Sequence, residues 1–163
     1  MRTVSVYGLG VAGVATAKAF AARGYGVRLG DDNIIEAMSN LAEAIDSPLH
    51  SANDAQGIDA VLRGSDVLVP APGIAPTHPV IVEALRRGIA VRSEIDVAYE
   101  WEQARAGGPR PIIAVTGTDG KTTTTMLVGT FRGAERDMVL CRNEVNATDP
   151  ANNRRPVDLI GDK

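Results

Sequence analysis

A chain of 163 residues suits one ordinary domain, or one domain and part of another. Hydrophobic residues make up 44%, charged residues 23%, and the net charge is −3, so intrinsic disorder is not the default and no general nucleic-acid or membrane surface is indicated. A phosphate-bearing ligand would therefore need local, well-aimed donors. The single Cys141 excludes an internal disulfide framework and fits a reducing compartment, and with neither His50 nor His78 near it in sequence an ordinary thiol is expected rather than a catalytic one.

In chain order, residues 4–7 are a short apolar run that predicts a buried strand. Residues 11–23 follow with small apolar residues at helical spacing, Val14, Ala17 and Ala21 on one face, and Gly24 supplies a left-handed stop. The apolar N-terminal stretch is broken by Gly8, Gly10, Gly13 and Lys18, so it reads as neither a signal peptide nor a membrane span, and the expected location is the cytoplasm. "YGVRLG" predicts a second strand ending at Asp31 and Asp32. Strand, glycine turn, helix, strand and acid make the βαβ unit of a doubly wound parallel sheet, the Rossmann-like α/β class.

A helix is predicted over about 34–45, while residues 46–60 give no clear pattern. "DVLVPAPG", 66–73, predicts a strand running into a proline-glycine turn, and 78–88 a helix stopped by Gly88. A short strand is predicted over 89–91, then a helix to about 106 opened by a Ser93/Asp96 capping box. "AGGPRP", 106–111, is the best boundary in the chain, with 107–111 as a hinge between a domain of residues 1–106 and a second unit over 112–163. That unit begins with a predicted strand over 112–115 and a helix over 121–132, with Met126, Leu127 and Phe131 as packing residues. Beyond Gly133 no pattern is legible, and 111–163 is expected to be less protected from hydrogen exchange than the first domain.

Two glycine loops carry the chemistry. Residues 8–13, Gly-Leu-Gly-Val-Ala-Gly, fit G-x-G-x-x-G between a strand and a helix, with an acid at Asp31. Glycines let the backbone approach a phosphate, and the free amides of a helix start point at it. Asp31 or Asp32 is placed to accept hydrogen bonds from a ribose or a base. A tight turn that merely packs helix on sheet is the plain structural alternative. The second loop, Thr116-Gly117-Thr118-Asp119-Gly120-Lys121-Thr122-Thr123, lacks the early glycine of the strict P-loop, since Val115 stands there. It keeps Gly-Lys-Thr between a predicted strand and helix: amides of 117–121 for an anion, Lys121 for the terminal phosphates, and the Thr122 hydroxyl for Mg²⁺. The alternative is a threonine-rich helix start with Asp119 as a local cap.

With "VYGLGVAGVATAKAFAARG", "DVLVPAPGIAPTHP" and "IIAVTGTDGKTTTTMLVG" in that order, the chain resembles the Mur ligase family, most closely its D-glutamate-adding branch. The resemblance spans most of residues 1–132. It implies ATP-dependent amide-bond formation in peptidoglycan precursor synthesis, through an acyl phosphate on UDP-N-acetylmuramoyl-L-alanine that the amino group of D-glutamate attacks. It implies that the first loop holds UDP rather than NAD, with Leu9, Gly10, Val11, Ala12, Asp31, Ala71, Pro72 and Gly73 as contacts. A further implied contact is Asn152, in "ANNRRP". The second loop would hold ATP through Gly117, Thr118, Asp119, Gly120, Lys121, Thr122 and Thr123, with Lys121 as the catalytic cation and Thr122 as the Mg²⁺ ligand.

The chain departs from the family's usual pattern at three positions. Ala71 stands where a serine is common, Asn33 where an arginine is common, and Asp119 where an asparagine is common. The family's later metal ligands and its amino-acid-binding domain have no match in these residues, so the isolated chain is expected not to be a competent ligase. A non-catalytic UDP-sugar-binding module and an NAD-dependent oxidoreductase stand as alternatives. The Lys121 loop and Pro72-Gly73-Ile74 count against the oxidoreductase.

Overall fold

The structure is a computed structural model that describes residues 2–115 and 118–132. Cys141, Asn152 and the rest of 133–163 lie outside the described residues, as do Thr116 and Gly117. The elements run β1 (Thr3–Tyr7), α1 (Val11–Ala22), β2 (Gly26–Asp31), α2 (Glu36–Ala44), β3 (Leu49–Ser51), α3 (Ala55–Leu62), β4 (Val67–Pro70), α4 (Pro79–Arg86), β5 (Ala90–Val91), α5 (Glu94–Gln103) and α6 (Lys121–Arg132).

The five strands of the described residues form one sheet in the order β3-β2-β1-β4-β5. Every pairing is parallel, with Val4 facing Val27 on one side and Val67 on the other. A parallel sheet needs cover on both faces, and period-two alternation supplies it. On one face Val4, Val6, Val27, Leu29 and Val69 pack with Ala17 and Phe20 of α1, Leu41 of α2 and Val97 of α5. On the other, Tyr7 and Leu68 pack with Ile58, Val61 and Leu62 of α3 and Val80, Ile81 and Ala84 of α4. Each fully buried aliphatic side chain contributes roughly 2 kcal/mol. The one polar side chain in the middle of β1, Ser5, is satisfied by the Val61 carbonyl at 2.7 Å and by Ser65 Oγ at 2.6 Å.

Residues 46–60, without a pattern in sequence, hold β3 and α3. β3 is a three-residue edge strand, too short and too exposed to alternate visibly. α3 is opened by Asp54, whose carboxylate accepts from the Gly57 amide at 2.7 Å. Gly57 sits inside the helix because a Cβ there would lie 1.9 Å from the Ser51 carbonyl oxygen. A residue that suggests a loop thus marks close helix-to-strand packing.

The strand predicted over 112–115 does not form: these residues carry no regular structure, and Ile112 and Ile113 are 60% and 56% exposed. A parallel strand exists only through ladder bonds to a neighbour, and none of the described strands pairs with this segment. Met126 and Leu127, expected to pack, are likewise about half exposed, at 47% and 50%. The Phe131 side chain is not among those described.

Candidate functional site

The chain runs outward from β1 to β2 and β3, then returns to β4 and β5 on the other side of β1. That reversal opens a crevice beyond the carboxyl ends of β1 and β4, the place where open parallel sheets bind ligands. Its walls are the loop leading into α1 and the loop of residues 71–78 leading into α4.

The three glycines of the first loop have different reasons to be glycine. Gly8 is left-handed, φ +84°, and a Cβ there would lie 2.9 Å from Ala71 Cβ. Gly13 sits under the loop: its Cβ would lie 2.0 Å from the Gly8 carbonyl oxygen. Gly10 has neither constraint. It caps α1 in an ordinary extended conformation, φ −70° and ψ −167°, and its Cβ would meet nothing within 4 Å. None of the described residues demands glycine there; close approach from outside would.

The amides tell the same story. Gly8 N–H donates to the Gly30 carbonyl at 2.9 Å and Leu9 N–H to Asp31 Oδ2 at 2.7 Å. The first bond within α1 is Val14 N–H to the Gly10 carbonyl at 3.0 Å, and no side chain caps the helix. Val11, Ala12 and Gly13 therefore present the open amides of a twelve-residue helix, at the positive end of its dipole. The Leu9 and Ala12 side chains are buried, while Gly10 and Val11 are exposed.

Asp31 ends β2 and holds the loop in shape. Its Oδ2 takes the Leu9 amide, and its Oδ1 takes the Asn33 amide at 3.0 Å. Asp32 faces two side chains that sequence reading does not connect to it. Tyr7 donates its hydroxyl to Oδ1 at 2.5 Å, and His78 Nε2 lies 3.3 Å from Oδ2. His78 also caps α4, its Nδ1 accepting from the Val80 amide at 3.4 Å, which leaves Nε2–H as the donor to Asp32. Burial first, then the Asp32 bond, push the Tyr7 phenol well above its ordinary pKa, so it stays protonated and donating. The available signals were faint: Tyr7 shares the Ser5 face of β1, and His78 stands before Pro79 at a helix start. Tyr7→Phe removes one donor and leaves the ring in place. It is expected to lower stability by about 1 kcal/mol, read from the urea midpoint at unchanged slope.

The opposite wall carries Ala71, Pro72 and Gly73. Ala71 N–H donates to the Tyr7 carbonyl at 2.7 Å, extending the β1–β4 pairing by one bond, and Ile74 N–H closes a turn onto the Ala71 carbonyl at 3.0 Å. Pro72 and Gly73 stand exposed beside the first loop's neighbour Ala71.

In the second loop, Thr118, Asp119 and Gly120 form an exposed bend, with Gly120 left-handed at φ +74°. Lys121 and Thr122 open α6, and Thr123 is exposed in its first turn. Lys121 Nζ donates to the Thr118 carbonyl at 3.1 Å, curling over the bend. Gly117 is outside the described residues, so this loop is described only from Thr118 onward. Among the described residues no group of His, Cys, Asp and Glu is arranged to hold a metal, and no helix is long and apolar enough to cross a membrane.

Residues 2–93, more than half of the chain, match the family described as Mur ligase MurD-like, N-terminal domain. The chain belongs to that family. It is 39% identical over 128 residues to the UDP-N-acetylmuramoylalanine–D-glutamate ligase of Syntrophus aciditrophicus, covering 76% of this chain and 26% of the relative. It is 34% identical over 161 residues to the ligase of the same name from Mycolicibacterium vanbaalenii, covering 96% and 32%. The chain thus spans about a quarter to a third of the length of these curated relatives. Among solved structures, a UDP-N-acetylmuramate:L-alanyl-gamma-D-glutamyl-meso-diaminopimelate ligase from Neisseria meningitides matches 79% of this chain with TM-score 0.56 at 23% identity, covering 38% of that protein. At that identity the likeness is one of fold, here the Rossmann-like parallel sheet of β1 to β5.

Proposed function

We propose that the crevice binds the nucleoside diphosphate of UDP-N-acetylmuramoyl-L-alanine, and that this chain serves the ATP-dependent addition of D-glutamate in peptidoglycan precursor synthesis, in the cytoplasm. The observation that carries the reading is Gly10, a glycine that no atom of the described residues requires, at the head of three open amides. The amides of Val11, Ala12 and Gly13 bind the diphosphate, and the exposed Gly10 lets it come close. Asp31 keeps the Leu9 end of the loop in register, and each of its oxygens retains a second lone pair for the ribose. Pro72 and Gly73 border the far side. By family resemblance Asn152 is a further contact.

The second loop is read as the start of an ATP-binding unit over residues 112–163, with 1–106 as the UDP-substrate domain. The residues present fit that group: a left-handed Gly120, a lysine and a threonine at the first positions of a helix. Amides of 117–121 and the Lys121 ammonium would hold the phosphates, Thr118, Asp119 and Thr123 would border them, and the Thr122 hydroxyl would ligate Mg²⁺. When bound, ATP supplies the phosphoryl group and Mg²⁺ offsets its charge; Lys121 adds a cation where that charge develops. Lys121→Ala is expected to weaken ATP binding by at least about tenfold while leaving the UDP ligand's affinity unchanged.

Calorimetric titration of this chain with UDP-N-acetylmuramoyl-L-alanine, ATP and NAD tests the reading. Stoichiometric binding of the UDP ligand and of ATP is expected. The UDP ligand alone would favour a non-catalytic binding module, and NAD in its place would favour an oxidoreductase.

A further inference from the structure

Composition makes residues 107–111 a hinge, yet the segment is tied down. Glu102 lies in the last turn of α5, and only 4% of it is exposed. Its carboxylate takes three hydrogen bonds from one residue eight positions on. Arg110 N–H and Nε–H reach Oε1 at 2.8 and 2.9 Å, and Nη2–H reaches Oε2 at 2.5 Å. The chain between them turns back through Gly107 and Gly108, left-handed at φ +89° and +90°, with Gly108 N–H on the Arg105 carbonyl at 3.0 Å.

Pro109 and Pro111 flank Arg110. Neither has an amide hydrogen, so Arg110 N–H is the sole backbone donor of 109–111, and it goes to Glu102. Each proline fixes its own φ, and Pro111 also holds Arg110 away from the helical region. The bend is therefore at the glycines, and what leaves it is a stiff segment fastened at the buried Glu102 carboxylate.

We propose that Glu102 and Arg110 form a latch that fixes the direction in which the chain leaves the first domain over residues 109–112. Both partners are side chains of this chain, and neither belongs to either glycine loop. Any consequence for two nucleotide ligands rests on the reading above; the latch does not.

Spin labels at Lys18→Cys and Ile112→Cys, in a Cys141→Ser background, test it; both label sites are exposed. The unsubstituted latch is expected to give one narrow distance distribution by pulsed electron resonance. Glu102→Gln and Arg110→Ala are each expected to widen it at least about twofold, and Arg110→Lys, which keeps the charge without the planar fork, to fall between. Glu102→Met places an apolar side chain of similar size in the buried site, so the latch is broken even where the Gln variant folds poorly. A broad distribution with the latch intact would overturn the proposal. So would an unchanged width in Glu102→Met and Arg110→Ala, with native circular dichroism and native amide protection in β1 and β4. No ligand enters the measurement, so its failure would leave the crevice reading standing, and a failed titration would leave the latch standing.

Discussion

Gly13→Ala is expected to lower stability by about 3 kcal/mol and to abolish binding at the first loop. The added methyl would sit 2.0 Å from the Gly8 carbonyl oxygen, a backbone atom held from both sides. Gly8 N–H is bonded to Gly30 and the next amide to Asp31, so the loop cannot yield without losing both. Either α1 moves off the sheet or the glycine turn opens, and each displaces the open amides. Gly10→Ala is the informative partner. Its methyl meets nothing within 4 Å, and φ −70° suits any residue. Only a helix-capping preference is lost, under about 1 kcal/mol. Affinity for the UDP ligand is nonetheless expected to fall at least about tenfold, because that methyl occupies the space the diphosphate needs. Denaturant midpoints and calorimetry on the two variants separate a glycine kept for folding from a glycine kept for a ligand. A Gly10→Ala protein that binds as tightly as its parent would remove the main support for the crevice reading.

Glu102→Gln is expected to cost about 2 kcal/mol at neutral pH and to flatten the acid limb of the stability curve. Hydrogen bonds from the Arg110 side chain, then its backbone amide, draw the Glu102 pKa down to about 2. In the unfolded chain a glutamate titrates near roughly 4.3. A carboxylate with a depressed folded pKa binds its proton more readily when unfolded. Its stabilisation is therefore complete above the unfolded value and fades as pH falls from about 4.3 towards about 2. The Gln variant and its parent should differ most near pH 7 and converge near pH 2, by thermal or denaturant unfolding. Asp59, Glu83 and Asp96 are also drawn down by their partners, but they are present in both proteins and cancel in the difference. A gap that stays constant from pH 7 to pH 2 would show that Glu102 acts by packing alone.

The doubly wound half was legible because its signals are local. Gly24 and Gly88 end helices in the left-handed conformation, and the Ser93/Asp96 capping box forms with both bonds present. β1, the glycine loop, α1 and β2 follow directly from an apolar run, a small-residue turn and a second run. What stayed hidden depends on neighbours far along the chain. Gly57 reads as a loop residue until β3 is seen lying against it. Residues 112–115 have strand composition and no strand to pair with among those described. Asp31 reads as a ligand contact, and the structure first gives its two oxygens to the Leu9 and Asn33 amides. The reach of Arg110 back to Glu102 is invisible in composition, because two glycines and two prolines look the same in a slack linker and in a fastened turn.

The most direct measurement is a ¹⁵N-resolved amide spectrum of the chain, titrated with UDP-N-acetylmuramoyl-L-alanine and, separately, with NAD. Large shifts confined to the amides of Gly10, Val11, Ala12 and Gly13 and to those of the facing Ala71, Gly73 and Ile74 are expected with the UDP ligand, and none with NAD. Unmoved first-turn amides at saturating UDP ligand, or the same shifts with NAD, would contradict a diphosphate held by the head of α1.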